Sequence, residues 1–408
     1  MNCRFCKAPL DHVFIDLNNS PASNSFLLEE QLNEPEIFYP LKVYTCTSCF
    51  LVQIDEYKKS DAIFNSDYAY FSSYSTGWLA HSKEYVEKMI KRFDFNSGSA
   101  IIEVASNDGY LLQYFKQFNL PVLGIEPTAN TAEVAINKGI ETIIDFFGLK
   151  LATKLSASGR KADLLLGNNV LAHVPDIVDF VQGMKIVLKE TGIITMEFPH
   201  LLQLINNNQF DTIYHEHFSY LSFYTVKKIF ESAGLVLFDV EEIPTHGGSI
   251  RIYATHAENR KQEIAPGVQL LLDKELSYGI NTIEYYKGFQ HKAFKAKTEL
   301  LEFLIGQKKQ NKKVIAYGAA AKGNTLLNYC GIKNDLIDFV VDANPHKQNK
   351  FLPASHIPVL EEGEIRKIKP DFVLILPWNL KSEITSQLSY IKEWNGKFVI
   401  PIPEIEIL

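Results

Sequence analysis

Four of the five cysteines stand as two CxxC pairs near the N-terminus, Cys3 with Cys6 and Cys46 with Cys49, and only Cys330 lies elsewhere. A CxxC turn aims two sulfurs at one point, so the two pairs offer four thiolates to a tetrahedral zinc ion. The spacer, residues 7–45, is longer than that of a simple zinc ribbon, and redox or merely buried cysteines are the competing reading. MNCRFCKAPLDH carries no apolar leader segment, and no run reaches the roughly 18 apolar residues of a bilayer span. A cytoplasmic protein is therefore expected, and a reducing compartment favours metal over disulfides. Four sulfurs fill the coordination shell, so the zinc is expected to be structural. Residues 1–75 are rich in Pro, Asn, Ser and aromatics and short of helical periodicity. They are expected to form a small, irregular domain that owes its folding more to the ion than to a core.

The pattern changes after Gly77. HSKEYVEKMIKRF has helical spacing, and AIIEVASNDG, PVLGIEP, ADLLLGNNVL, TGIITMEFP, LVLFDVEEIP and SIRIYATH read as strands, with helical stretches such as TANTAEVAINKG between them. Such alternation implies a parallel sheet covered on both faces. The last two strands are joined by THGG without a helix, which predicts an antiparallel hairpin. Residues 270–310 read as one helical stretch interrupted near Gly279. It leads into a second α/β unit through VIAYGAAAKG, IDFVVDANP, DFVLILPW and FVIPIPEIEIL. The expected chain is α/β: a zinc-binding domain over 1–75, a central Rossmann-like domain over 76–270, and a second Rossmann-like domain over 271–408. At 408 residues and 46% hydrophobic, it can bury several cores. A net charge of -7 with Lys and Arg spread along the chain leaves no basic surface for nucleic acid. Neither nucleic acid nor membrane is expected as a partner.

In IIEVASNDGYLL a strand ends in an acidic residue and small turn residues before a helix, which sets backbone N–H groups against a nucleoside-type ligand. Glu103, Ser106, Asn107, Asp108 and Gly109 are the candidates there. The missing GxGxxG argues against NAD and FAD. Glu126 of GIEP ends the next strand, where a carboxylate can accept both hydroxyls of a ribose. Asp145 and Phe146, then Asn168 and Asn169, follow later strand ends, where an adenine and a reaction centre would lie. FDTIYHEHFSYLS offers a general base beside an orienting carboxylate. Ser219 stands where HExxH needs its second histidine, so that zinc motif is excluded. A metal pair from His215 and His217, or a solvated surface cluster, are the alternatives. In AYGAAAKGNTLL, Gly318, the small residues after it and Lys322 suit an anion at a helix start, or simple packing.

The order of these strand-end features, with the closing hairpin, resembles the S-adenosylmethionine-dependent methyltransferases of the Rossmann-like class. More specifically, YAYFSSYS, SNDGYLL, GIEP, NNVLAHVPD, YHEHFSYLS, THGGSIRIY, AYGAAAKGNTLLNY and VVDANPHKQNKFLP follow the four-cysteine domain across essentially the whole chain. Together they resemble the sugar C-methyltransferases, which add a branch methyl to a deoxy-keto sugar carried on a nucleoside diphosphate. The resemblance implies S-adenosylmethionine and structural zinc as cofactors, and a 4-keto sugar methylated at carbon 3 or 5. It implies His217 as base with Glu216 beside it, Tyr214 and His173 as enolate-stabilising groups, and Tyr68 or Tyr70 closing over the site. The remaining strand-end candidates then hold the cofactor, while His246, Arg251, Lys322 and Asn324 face the substrate. A monomer is expected. An O- or N-methyltransferase acting on a nucleotide sugar, or a non-catalytic nucleotide-sensing zinc protein, are the alternatives; a sensor would need no base.

Overall fold

A computed structural model describes residues 1–64, 68 and 70–408, so Asn65, Ser66, Asp67 and Ala69 of the aromatic-rich segment lie outside the described residues. The N-terminal part is more regular than expected. β1 (His12–Ser20), β2 (Tyr39–Thr45) and β3 (Val52–Ile54) form an antiparallel sheet in which Leu41, Val43 and Thr45 alternate inward along β2. An apolar core supports it as well as any metal. Phe14, Ile15, Leu17, Leu41 and Val43 belong to the same apolar core as residues of the last third of the chain, and Phe14 stacks on Phe289 at 4.7 Å between ring centroids.

The middle of the chain lays down β4 (Ile101–Val104), β5 (Val122–Ile125), β6 (Thr142–Ile143), β7 (Ala162–Asn168) and β8 (Leu188–Pro199) as parallel strands. β4 and most of β7 are buried on both faces, as their unbroken aliphatic runs require. The chain then leaves this sheet. β9 (Ser219–Tyr220) pairs antiparallel with β3 and so completes the first sheet. It returns as the hairpin β10 (Leu235–Ile243) and β11 (Ser249–His256), giving the order β10-β11-β8-β7-β4-β5-β6. The chain direction switches sides at β4, and in open α/β sheets the crevice at such a switch point receives the ligand.

The helical stretch is three helices. Pro266–Tyr278 crosses residue 270 and buries Val268 and Leu271 in the core of the middle sheet. It ends at Gly279, whose φ of +84° is the left-handed helix stop that favours glycine. Ile283–Tyr286 is short, and Phe289–Lys309 starts after a second left-handed glycine, Gly288. β12 (Val314–Tyr317), β13 (Val340–Val341), β14 (Lys350–Phe351), β15 (Pro358–Leu360), β16 (Phe372–Ile375), β17 (Lys397–Ile400) and β18 (Glu406–Ile407) make the last sheet. Its order is β14-β15-β13-β12-β16-β17-β18, parallel except for the antiparallel edges β14 and β18. Among the described residues no helix is long and apolar enough to cross a membrane.

Candidate active site and zinc centre

The two CxxC turns have the same backbone. In each, the first cysteine N–H donates to the carbonyl five residues on (Cys3 to Ala8, Cys46 to Leu51), and its own carbonyl accepts from the residue after the second cysteine (Lys7, Phe50). Lys7 and Phe50 both take a left-handed φ, 63° and 64°, which turns the chain back around the sulfurs. The four Sγ atoms lie within 4.8 Å of one another, close to the roughly 3.8 Å edges of a tetrahedron built on 2.3 Å Zn–S bonds. Gln53 Nε2 donates to the Cys3 sulfur at 3.2 Å, a hydrogen bond that suits a thiolate ligand. Among the described residues only these four gather as a group able to hold a metal. His215 is not part of one: its Nε2 turns to the Pro40 carbonyl, away from His217.

A cavity of about 380 Å³ opens at the carboxyl ends of β4, β5 and β7, within the usual range for small-molecule sites. Asn107, Glu126, Phe146, Asn168, Asn169 and Tyr70 line it, as expected. Glu126 is held by the Asn107 and Thr128 N–H groups, each at 2.9 Å, and by the Thr128 hydroxyl at 2.5 Å. Burial nonetheless raises its pKa. Three of its lone-pair positions are thus filled and one stays open. Ala105, Asn107, Asn169 and His246, none of them glycine, all line the cavity with left-handed φ. Such strain gathers at functional sites.

Five expected cofactor residues are not on this wall. Glu103 and Ser106 point into the fold and are fully buried; burial pushes the Glu103 carboxyl well up. Asp108 accepts from the Ser73 N–H at 3.2 Å and so holds the segment over the cavity instead of a ligand. Gly109 is required by packing: its φ is +74°, and a Cβ there would meet Ile140 Cδ1 at 2.5 Å. Asp145 is exposed and accepts from the Phe146 N–H.

Tyr214, Glu216, His217, His173 and Tyr68 share the opposite wall. The His217 Nδ1 donates to the Thr212 carbonyl at 2.9 Å, which leaves Nε2 as a bare acceptor. Burial, with His173 alongside, holds its pKa well below the usual imidazole value. The group that orients His217 is therefore Thr212, not Glu216 as the sequence suggested. Glu216 Oε1 accepts from Asn24 Nδ2 at 2.7 Å, and burial pushes its carboxyl up to about 7. His173 Nδ1 donates to the Glu216 carbonyl at 2.8 Å, and burial lowers its pKa to about 4. Neutral His173 therefore has no N–H left to meet an enolate oxygen, contrary to expectation. Tyr214 stacks beside His217 at 4.0 Å, and burial keeps the Tyr214 and Tyr68 hydroxyls protonated.

On the third side, Lys322 and His246 line the cavity. Lys322 Nζ donates to Asn379 Oδ1 at 2.7 Å, lies over the Trp378 ring at 4.6 Å, and loses basicity by burial. Arg251 and Asn324 are not there. Arg251 is 3% exposed and binds Glu197 Oε2 at 2.7 Å, with His81 against the same carboxylate, so its charge is spent inside the fold. Asn324 is 1% exposed and donates to the Ser23 carbonyl. Sequence reasoning missed Asn24, Trp78 and Lys347, which also line the cavity. Trp78 stacks on His81 and leans on His246, at 5.0 and 5.1 Å. No motif marked Asn24; Lys347 lies within VVDANPHKQNKFLP but was given no role there, and Trp78 could have been suspected as the first aromatic after the closing segment.

The strand order, the crevice at the switch point and the acidic end of β5 define an S-adenosylmethionine-dependent methyltransferase with a four-cysteine zinc-binding domain. Residues 3–64 match the family model of a zinc binding domain, 78–240 a methyltransferase domain, and 244–403 a C-methyltransferase C-terminal domain. The C-methyltransferase NovU of Streptomyces niveus is 33% identical over 406 residues, covering 100% of this chain and 96% of its own. The chain belongs to the C-methyltransferase family. Among solved structures, PH0226 protein from Pyrococcus horikoshii OT3 is 13% identical with a TM-score of 0.39, covering 46% of this chain and 95% of its own. A SAM-dependent methyltransferase from Anabaena variabilis ATCC 29413 is 16% identical with a TM-score of 0.37, covering 50% and 99%.

Proposed function

We propose that this C-methyltransferase acts on a 4-keto-deoxy sugar linked to a nucleoside diphosphate, replacing a hydrogen on the carbon next to the ketone by methyl. The observation that carries the reading is the bare Nε2 of His217, fixed by the Thr212 carbonyl and set among protonated phenols on the cavity wall. Methylating carbon needs a nucleophile that must first be made, whereas an oxygen or nitrogen nucleophile is ready-made. An imidazole can take a proton next to a ketone if donors meet the enolate oxygen as it forms. Tyr214 and Tyr68 supply those donors.

His217 Nε2 removes the α-proton, and the C–H electron pair moves into the enolate. S-adenosylmethionine supplies the electrophilic methyl: the enolate carbon bonds to it as the S–C bond breaks. Glu126 accepts one ribose hydroxyl at its open lone pair, and a second in place of the Thr128 hydroxyl, which already has Thr131 as a partner. Asn168 and Asn169 face the methionine end. Glu216 holds a sugar hydroxyl and turns the reacting carbon toward His217. Its neighbours on the last lobe suit the diphosphate. The helix Ala321–Cys330 starts without a side-chain cap at the cavity wall, and Lys322 and Lys347 bring positive charge there. The Ala319 and Ala320 N–H groups are already taken, by Asp342 and the Gly318 carbonyl, so the phosphates use the N–H groups of the first helical turn.

The test is incubation with S-adenosylmethionine and a panel of nucleotide-linked 4-keto sugars, read by mass spectrometry. A gain of one methyl with loss of the α-hydrogen is expected. Methyl gain with that hydrogen retained would make the enzyme an O- or N-methyltransferase.

A further inference from the structure

Asn24 reaches the cavity from the β1–β2 connection and gives Glu216 the only hydrogen bond to its carboxyl among the described residues, at 2.7 Å. The residue before it, Ser23, is 2% exposed, and its carbonyl accepts from Asn324 Nδ2 at 2.6 Å. A carbonyl only accepts, so Asn324 must turn its NH2 to Ser23. Among the described residues the Asn324 Oδ1 finds no partner, so that contact is the one hydrogen bond they give this buried amide. Beside it on the same helix, the Thr325 hydroxyl donates at 2.9 Å to the carbonyl of Ile213, immediately before Tyr214. Successive side chains of Ala321–Cys330 thus hold the loop bearing Asn24 and the loop bearing Tyr214, Glu216 and His217.

We propose that Asn24 and Asn324 are positioning residues for the methyl transfer: Asn24 fixes the Glu216 carboxyl at the cavity wall, and Asn324 fixes Asn24 through the Ser23 backbone. This rests on the reading of Glu216 and His217 as the wall that meets the sugar. The physical need is clear from the surroundings of Glu216. Burial is the main influence on its pKa and drives it up, while Asn24 is the first group opposing that rise, ahead of the more distant charges of Lys58 and Lys347. Tyr68 and Tyr214 face it as neutral phenols, and His173 is bound to its backbone carbonyl. Without Asn24 the carboxyl loses both its fixed orientation and its chief support as an anion.

The test uses full-length enzyme with zinc bound and measures steady-state kinetics across pH, together with wash-in of solvent deuterium at the substrate's α-carbon. Asn24→Ala should lower kcat and wash-in about tenfold, the loss of one hydrogen bond to a charged group, with KM changed far less. The acid limb of kcat should move to higher pH. Asn24→Asp, nearly the same size but unable to donate when ionised, should move it further; a packing role would leave this variant near wild type. Asn324→Ala should act in the same direction with smaller amplitude. Zinc content and S-adenosylmethionine affinity should stay as in wild type. Should Asn324→Ala unfold, Asn324→Asp carries the same reading. A wild-type rate and pH limb in Asn24→Ala overturns the positioning role while the His217 reading stands. Absence of wash-in from the wild type itself overturns the His217 reading, and this proposal with it.

Discussion

His217 and Glu216 are adjacent in sequence yet titrate in opposite directions, because burial penalises the charged form of each: the cation of one, the anion of the other. Since the His217 pKa is depressed well below 6.5, its protonation does not set the acid limb near neutrality. Glu216 does. Its anion is present above about 7 and lost as pH falls through that value, so kcat is expected to drop over the same window. Glu216→Gln should lower kcat and abolish that limb. His217→Asn should lose a factor of about a hundred to ten thousand in turnover with both ligands still bound, and should show no deuterium wash-in. Glu126→Ala should weaken S-adenosylmethionine roughly ten- to a hundredfold by calorimetry, two hydrogen bonds to a charged group being lost. Residue types at strand ends were legible in the sequence; the side of the turn each faces was not. Glu103 and Glu126 both end strands, but one carboxyl turns into the fold and the other into the cavity. Arg251 looked like a free cation in HGGSIR because nothing in MEFP marks Glu197 as its buried counterion.

Six of the seven strands of the middle sheet could be read because they are apolar runs of several residues whose burial depends on neighbours close in sequence; β6, only Thr142–Ile143, was too short to mark itself. β1 could not, because HVFIDLNNS ends in polar residues, kinks at Asn18 with φ 64°, and buries its apolar side against helices more than 250 residues away. Among helices, Ala321–Cys330 has the most tasks: an uncapped start and Lys322 at the cavity, then Asn324 and Thr325 against two loops. Lys322→Ala should therefore raise the substrate's dissociation constant roughly ten- to a hundredfold and leave S-adenosylmethionine binding alone. A loss of S-adenosylmethionine binding would place the diphosphate elsewhere.

The first and last sheets share one apolar core, although the middle sheet lies between them in sequence. Zinc removal should thus be felt far from the cysteines. Cys6→Ser, or a strong chelator, is expected to lower the melting temperature of the last lobe as well as the first, by about 10 °C or more given what a structural zinc contributes. Hydrogen exchange at β12 and β16 would report it. Protection there unchanged by zinc loss would show the two sheets to be energetically separate. β9 adds a second constraint: the chain leaves the middle sheet after Pro199 and, just past His217, pairs with β3. Anyone recombining this enzyme with a relative to change its substrate should therefore not cut at the apparent linkers. A workable chimera would exchange residues 1–75 together with the 200–222 excursion and the whole of 289–408, three separate stretches inherited as one block, since a crossover between them would pair each half of a core and each half of a strand ladder with a stranger.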